Sequence, residues 1–235
     1  GAASTAGSIL AGYAALGVPM TYLLAASVMA IPGGLLYAKI LMPSTEPTRI
    51  LTTRVTFGET RAANLIEAAA DGTQKGLAVA VAVGAMLIAF VGLIALANGL
   101  LGGLGALLGF PQVSIEGLLG PALSPIAWLL GVPWEQAALV GGAIGQKIAF
   151  NEFLAYANLS PTLKAGSLDP RSTAIVCFAL CGFANFASIA IQLASFSSLV
   201  PERRAEVARY GLRAILAGTL SNLTSAAIAG LFIGA

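Results

Sequence analysis

Gly145-Gln146-Lys147-Ile148-Ala149-Phe150-Asn151-Glu152-Phe153-Leu154-Ala155-Tyr156 sets a carboxylate beside an amide in the middle of a long apolar region. In hydrocarbon a carboxylate costs about 2.5–3.5 kcal/mol on insertion scales. A residue that carries this cost faces a cavity, an ion or a polar ligand, or else it is a neutral or paired structural group. The rest of the chain favours the functional role for Glu152. Its flanks are short: residues 134–149 are apolar but only 16 long, and 152–159 are shorter still, whereas a full span needs about 20. Two short helices meeting at Phe150-Asn151-Glu152 predict a re-entrant hairpin whose tip stops near the bilayer midplane. Exposed backbone is tolerable there only against a cavity or buried protein.

Composition agrees with a membrane setting. The 235 residues are 57% hydrophobic and 9% charged, and the mean hydropathy is +0.89. A soluble domain carries about 25% charged residues, so this chain lacks the means to cover a water-facing surface. Long Ala/Gly/Leu runs without period-2 alternation indicate helices rather than a barrel. The 28 glycines fit close helix packing and broken helices. A net charge of +2, with no basic face interleaved with aromatics, gives no footprint for nucleic acid. Histidine is absent, which removes the commonest metal ligand and general base. Cys177 and Cys181, four apart in an apolar helix, read as small packing residues rather than a metal site.

Outward from the hairpin, residues 20–42 are long enough to span, with Pro32-Gly33-Gly34 expected to kink them. Residues 43–75 are polar and charged, and 59–70 have the spacing of a helix on the membrane surface. Residues 76–108 read as one span followed by a glycine-rich exit. Residues 113–131, with Pro121 and Pro125 inside, are expected at the interface. Residues 171–199 read as a span interrupted at Gly182-Phe183-Ala184-Asn185, and 203–232 as a final span with a basic first turn. Arg49, Arg54, Arg61 and Lys75 in one loop and Arg203, Arg204, Arg209 and Arg213 in another oppose only Lys164 and Arg171. That asymmetry places the first two groups in the cytoplasm and the C-terminus outside. Thr5-Ala6-Gly7-Ser8-Ile9 echoes Asn185-Phe186-Ala187-Ser188-Ile189 at an offset of 180 residues. Inverted repeats with paired discontinuous helices build midplane sites in secondary transporters.

Asn151-Glu152-Phe153, the run Cys181-Gly182-Phe183-Ala184-Asn185 with Ser188 and Ile189, and Ala6-Gly7-Ser8 with Gly12-Tyr13 resemble the concentrative nucleoside transporter family. Leu41-Met42-Pro43 with Thr45-Glu46, and Gly218-Thr219-Leu220-Ser221-Asn222, fit it too. The similarity runs through essentially the whole chain, and several separated motifs in order are more specific than any one. The resemblance implies a homotrimer that moves nucleosides inward on a sodium or proton gradient, by elevator-like movement of a domain with two hairpins and two broken helices. It implies that Glu152 binds the ribose, that Phe183, Asn185 and Ser188 contact the nucleoside, and that Ile9 touches the base. It also implies that Ser4 and Thr5, with the first hairpin, hold sodium. The family's G-Q-T-E motif of the first hairpin is absent, as are the helices before it. The chain does not begin with Met, and it is expected to be the C-terminal part of a longer transporter, unable to transport alone.

The expected fold is an all-α integral membrane protein: a multi-span helical transporter with a re-entrant helical hairpin and two discontinuous helices, half of an inverted-repeat architecture. Its parts are expected at 1–42 (second half of a broken helix and a transmembrane helix), 43–75 (cytoplasmic loop with an amphipathic interfacial helix) and 76–112 (transmembrane helix and exit). Residues 113–163 are expected to hold an interfacial helix and the hairpin, and 164–235 a broken helix and the final transmembrane helix. The setting is the cytoplasmic membrane.

These residue types suit a neutral, hydroxyl-rich cargo. A carboxylate accepts two ribose hydroxyls in charge-assisted bonds about twice as strong as neutral ones. Asparagine offers both donor and acceptor. Phe183 shields the site or belongs to the core, and the Ser188 hydroxyl meets ligand or bonds back to its own helix. Sodium is a hard cation, and an unwound turn at Ser4-Thr5 offers carbonyls and hydroxyls. Lys147, five residues before Glu152, is offset in azimuth from it; it snorkels or meets another segment and takes no assigned role. Asn222-Leu223-Thr224 and Asn158-Leu159-Ser160 match a glycosylation sequon, and both read as accidental. Three rivals stand beside this reading. A proton-coupled permease, or one for another hydroxylated solute, keeps the fold. An intramembrane enzyme using Glu152 lacks a second catalytic group, so no enzymatic activity is expected. A passive channel would not accumulate its solute.

Overall fold

The computed structural model describes residues 2–43, 63–110, 113–189, 191–192 and 204–233. All the regular structure among these residues is helical. In chain order the helices are α1 (Gly7–Ala15), α2 (Met20–Leu41), α3 (Leu65–Leu107), α4 (Ile115–Leu129), α5 (Trp134–Ala149), α6 (Glu152–Ala165), α7 (Pro170–Leu180) and α8 (Arg204–Phe232). Short polar residues start several of them. Asn64, Ser114, Asn151 and Asp169 each accept hydrogen bonds from first-turn amides of the helix that follows, which satisfies donors with no partner inside the helix. Gly166, at φ 61°, closes α6 in a left-handed conformation that a side chain would oppose.

Met20–Leu41 and Ala208–Phe232 are long and apolar enough to cross a membrane, and the sharply bent pair Gly117–Leu129 and Trp134–Ala149 would make a third if counted together. That pair turns through 113° at its break, so α4 folds back along α5 instead of extending it. α5 and α6 form the expected helical hairpin. Its antiparallel pairing shows in the Asn158 Nδ2 to Gln146 Oε1 hydrogen bond of 2.9 Å, made across the tip. α8 packs along both α2 and α7. The apolar core gathers Tyr13 of α1, Leu23 of α2, Ile144 of α5, Tyr156 of α6 and most of α7.

Three boundaries differ from those read in the sequence. The surface helix expected over 59–70 and the span expected from 76 are not separate: residues 65–107 form one helix of 43 residues, while 59–62 lie outside the described residues. Gly72 and Gly76 each cost only about 1 kcal/mol in a helix, and no proline intervenes. The glycine-rich exit expected after Asn98 is helical for the same reason, and the Asn98 side chain turns outward to accept from the Ile115 amide at 2.8 Å, tying α3 to the start of α4. α6 outruns its expected end at 159, passing Pro161 to reach Ala165. The interruption of α7 falls where it was expected: the helix stops at Leu180, residues 181–185 are irregular, and a helical turn resumes at 186–189.

Candidate functional site

Two stretches of unwound backbone meet beside the hairpin tip. The first covers residues 2–6, ahead of α1; the second covers 181–185, after α7. The Phe183 amide lies 3.4 Å from the Ser4 carbonyl oxygen, and the Thr5 hydroxyl lies 3.7 Å from the Cys181 sulfur. Gly182 makes this approach possible, since a Cβ there would collide with the Ala3 carbonyl and stand 2.5 Å from Asn222 Oδ1. Unwound backbone exposes amides and carbonyls that regular helix would consume, and such groups need partners when buried.

The hairpin tip delivers Glu152 to the second break. Asn151 caps α6 by accepting from Leu154 N at 2.8 Å, so Glu152 stands in the first turn, where the positive end of the helix favours a carboxylate. Glu152 is buried, 4% exposed. Its Oε1 accepts from the Tyr13 hydroxyl at 2.9 Å, and its Oε2 accepts from Asn185 Nδ2 at 2.8 Å. A carboxylate has about four acceptor positions. Among the described residues one side-chain donor reaches each oxygen, which leaves the carboxylate acceptor capacity for a ligand.

The same asparagine shapes the turn beyond the break. Asn185 Oδ1 accepts from Ser188 N at 2.8 Å, and the Ser188 hydroxyl donates to the Asn185 carbonyl at 2.7 Å. The serine thus takes the local, helix-bonding role weighed for it from the sequence, while its oxygen keeps lone pairs to accept with. Phe183 is half-buried between the breaks. Ile9 is half-buried against the core and lies four residues before Tyr13, on the same face of α1. Ser4 and Thr5 belong to the first break and are half-buried. Among the described residues no group of three His, Cys, Asp or Glu side chains is placed to hold a metal, so a cation here would depend on hydroxyl and carbonyl oxygens. The first break has both, together with an adjoining cavity of about 300 Å³ lined by Ala2, Ala3, Ser4, Ala30, Gly34 and Gly218 among others.

Three residues of this arrangement escaped the sequence reading. Tyr13, fully buried, stacks on Tyr156 at 4.8 Å between ring centroids while bonding Glu152. Lys147 and Asn222 are each 1% exposed. Lys147 Nζ donates to the Ala179 carbonyl at 2.8 Å and to Asn222 Oδ1 at 2.7 Å. Asn222 Nδ2 donates to the Ala3 carbonyl at 2.9 Å and the Cys181 carbonyl at 3.0 Å. The lysine therefore meets another segment instead of snorkelling, and Asn222 is closed to glycosylation. A lysine or an asparagine in an apolar run signals a buried partner, but nothing in the run says which helix supplies it.

Residues 22–230 match the family described as "Na+ dependent nucleoside transporter C-terminus". The chain is 52% identical over 234 residues to YutK, an uncharacterised transporter of Bacillus subtilis, covering 99% of this chain and 57% of that protein. It is 49% identical over 237 residues to the nucleoside permease NupC of Helicobacter pylori, covering all of this chain and 56% of the permease. Human solute carrier family 28 member 3 is 35% identical across 98% of this chain and 36% of its own length. Among solved structures, CNTnw in an inward-facing substrate-bound state is 50% identical, with a TM-score of 0.91 over 99% of this chain and 55% of that one. A CNTnw variant in an outward-facing state gives 0.94 at 49% identity, over all of this chain and 56% of that one. The chain thus spans a little over half the length of its bacterial relatives.

Proposed function

The chain belongs to the concentrative nucleoside transporter family, as its C-terminal part, and from that premise we propose that the whole protein imports nucleosides by cation-coupled, elevator-type alternating access. It is a multi-pass membrane protein and not an enzyme. The observation that carries the reading is the Glu152 carboxylate, held between Tyr13 and Asn185 with acceptor capacity left for a ligand. Two ribose hydroxyls need two acceptors on one rigid anion, and charge-assisted bonds supply the strength. Asn185 orients the carboxylate and reaches the sugar edge, Ser188 accepts from the nucleoside, and Phe183 and Ile9 flank the base. Neutral cargo suits a site whose charge is already balanced by hydrogen bonds, because no net charge then has to be moved into hydrocarbon.

Sodium is the coupling ion in this reading. Ser4 and Thr5 supply part of its shell from the first break, and the segment preceding the chain supplies the rest. The transporter sits in the cytoplasmic membrane as a homotrimer with its C-terminus outside. One observation favours a second reading: the Ala3 and Ser4 carbonyls already meet Asn222 Nδ2 and Phe183 N, which leaves the break less oxygen for a metal ion. Protons would then drive transport, with Glu152 as their carrier.

Labelled uridine uptake by the full-length transporter in proteoliposomes decides between these. Sodium-driven accumulation that is lost in Glu152→Gln supports the first reading, and accumulation on a proton gradient alone supports the second. Folded protein that takes up no uridine under either gradient sinks both.

A further inference from the structure

The hairpin carries two charges into the buried region, and they clasp opposite sides of the second break. Glu152 holds Asn185, its last residue, while Lys147 holds the carbonyl of Ala179, in the last turn of α7 just before it. Lys147 also lies in the last turn of α5, so its ammonium stands at the carbonyl ends of two helices, where a cation is favoured. Its other partner, Asn222, belongs to α8 and spends both amide hydrogens on carbonyls, one in each break: Ala3 in the first and Cys181 in the second. Lys147 and Asn222 are thus a continuous hydrogen-bonded path from the first break, through α8, to Ala179 just before the second break and Cys181 at its start.

No hydrogen bond joins Lys147 to Glu152 among the described residues. The two charges attract through space, but the lysine takes no acceptor position of the carboxylate. What the pair holds constant is the relation between the two breaks, and Gly182 keeps that relation tight by leaving no room for slack. A buried, fully engaged amide with a charged partner has few alternative arrangements, because any rotation leaves polar groups unpaired in a low-dielectric interior. A change of backbone at Ala3 to Thr5 must therefore be met by a change at Cys181, and so at Asn185.

We infer that Lys147 and Asn222 are positioning residues that couple the two breaks, so that a cation bound at the first changes the affinity for nucleoside at the second. This rests on the transport reading above, with coupling placed in residues that touch neither ligand. Coupling free energies between sites commonly correspond to a factor of about 5–150 in affinity, and they are reciprocal.

The test is equilibrium binding of labelled uridine to the purified full-length transporter, in sodium and in choline at constant ionic strength, or at two pH values if uptake proves proton-driven. Asn222→Asp keeps an acceptor for Lys147, turns the donor to the two carbonyls into a second acceptor and adds a negative charge beside the lysine. Lys147→Met removes the ammonium at similar length, and Lys147→Arg retains charge and donors. The wild type is expected to bind uridine at least about fivefold more tightly with the coupling cation, and Asn222→Asp and Lys147→Met to bring that ratio within about twofold of one. Lys147→Arg is expected to keep part of it. If Lys147→Met does not fold, Asn222→Asp decides alone, with its melting midpoint as the folding control. Variants that weaken uridine binding equally in both media, leaving the ratio intact, would show a merely structural role and overturn the inference. So would a wild type that binds uridine without any cation dependence. A wild type that binds no uridine removes the nucleoside reading itself, a distinct result.

Discussion

At the first break, residues 2–6, the backbone is unwound beside an open cavity. The Thr5 hydroxyl lies 3.7 Å from the Cys181 sulfur, and Ser4 and Thr5 are half-buried. At the second break, residues 181–185, the surroundings are closed. Cys181, Gly182, Ala184 and Asn185 are buried, and Asn185 uses its amide on Glu152 and its carbonyl oxygen on Ser188. The two breaks share a sequence echo and touch each other, yet one is enclosed by buried side chains and the other borders a cavity. A closed, pre-bonded site binds its ligand with little reorganisation. An open one beside a cavity is suited to admit groups from elsewhere.

Four substitutions test that contrast, the largest effect first. Glu152→Gln strikes the closed break: one acceptor becomes a donor that faces the Asn185 amide, and uridine affinity should fall roughly 100-fold. Equilibrium binding measures it, and a loss under threefold would remove Glu152 from the site. Gly182→Ala strikes the contact between the breaks, where the methyl meets the Ala3 carbonyl and Asn222. Overpacking of this kind costs about 1–3 kcal/mol, so the thermal midpoint of the full-length protein should drop; an unchanged midpoint would mean the breaks are not in tight contact.

Tyr13→Phe keeps the ring on Tyr156 and deletes only the hydroxyl on Glu152. The thermal midpoint should fall, since hydrogen bonds to charged groups contribute about 1.5–3 kcal/mol, and uridine binding should weaken about tenfold. A lower midpoint with unchanged uridine affinity would make Tyr13 a packing residue alone. Thr5→Ala strikes the open break and should leave the folding stability within about 0.5 kcal/mol of wild type. It should raise the sodium concentration needed for half-maximal uptake while sparing uridine affinity at saturating sodium. An unchanged sodium dependence would take Thr5 out of the cation shell.

Much of this was readable before any coordinates. The helical hairpin follows from two apolar stretches too short to span that flank a buried carboxylate, and the break in α7 from Gly182 to Asn185. Glu152 and Asn185 were both picked out as site residues, and they meet. The extent of α3 was misread because glycines and a polar residue in an apolar run look like an ending, although each lowers helix stability only slightly. Ser188 was left between two roles, since a hydroxyl at that position serves a ligand and its own helix equally well. Its hydroxyl donates to the Asn185 carbonyl, and its oxygen keeps lone pairs to accept with.

By itself the sequence determined the solvent, the helical class, the places where helices break, and the one carboxylate that lipid could not tolerate unpaired. Those properties are local, set by transfer free energy and backbone propensity within a few turns of chain. Only the tertiary structure decided who pairs with whom: Tyr13 with Glu152 across 139 residues, Asn222 with Ala3 across 219, and Lys147 with α7 and α8 at once. Spacing along a helix states which face a side chain occupies but not which other helix meets that face. The geometry that makes a buried polar group affordable is therefore settled when the helices pack, and not before.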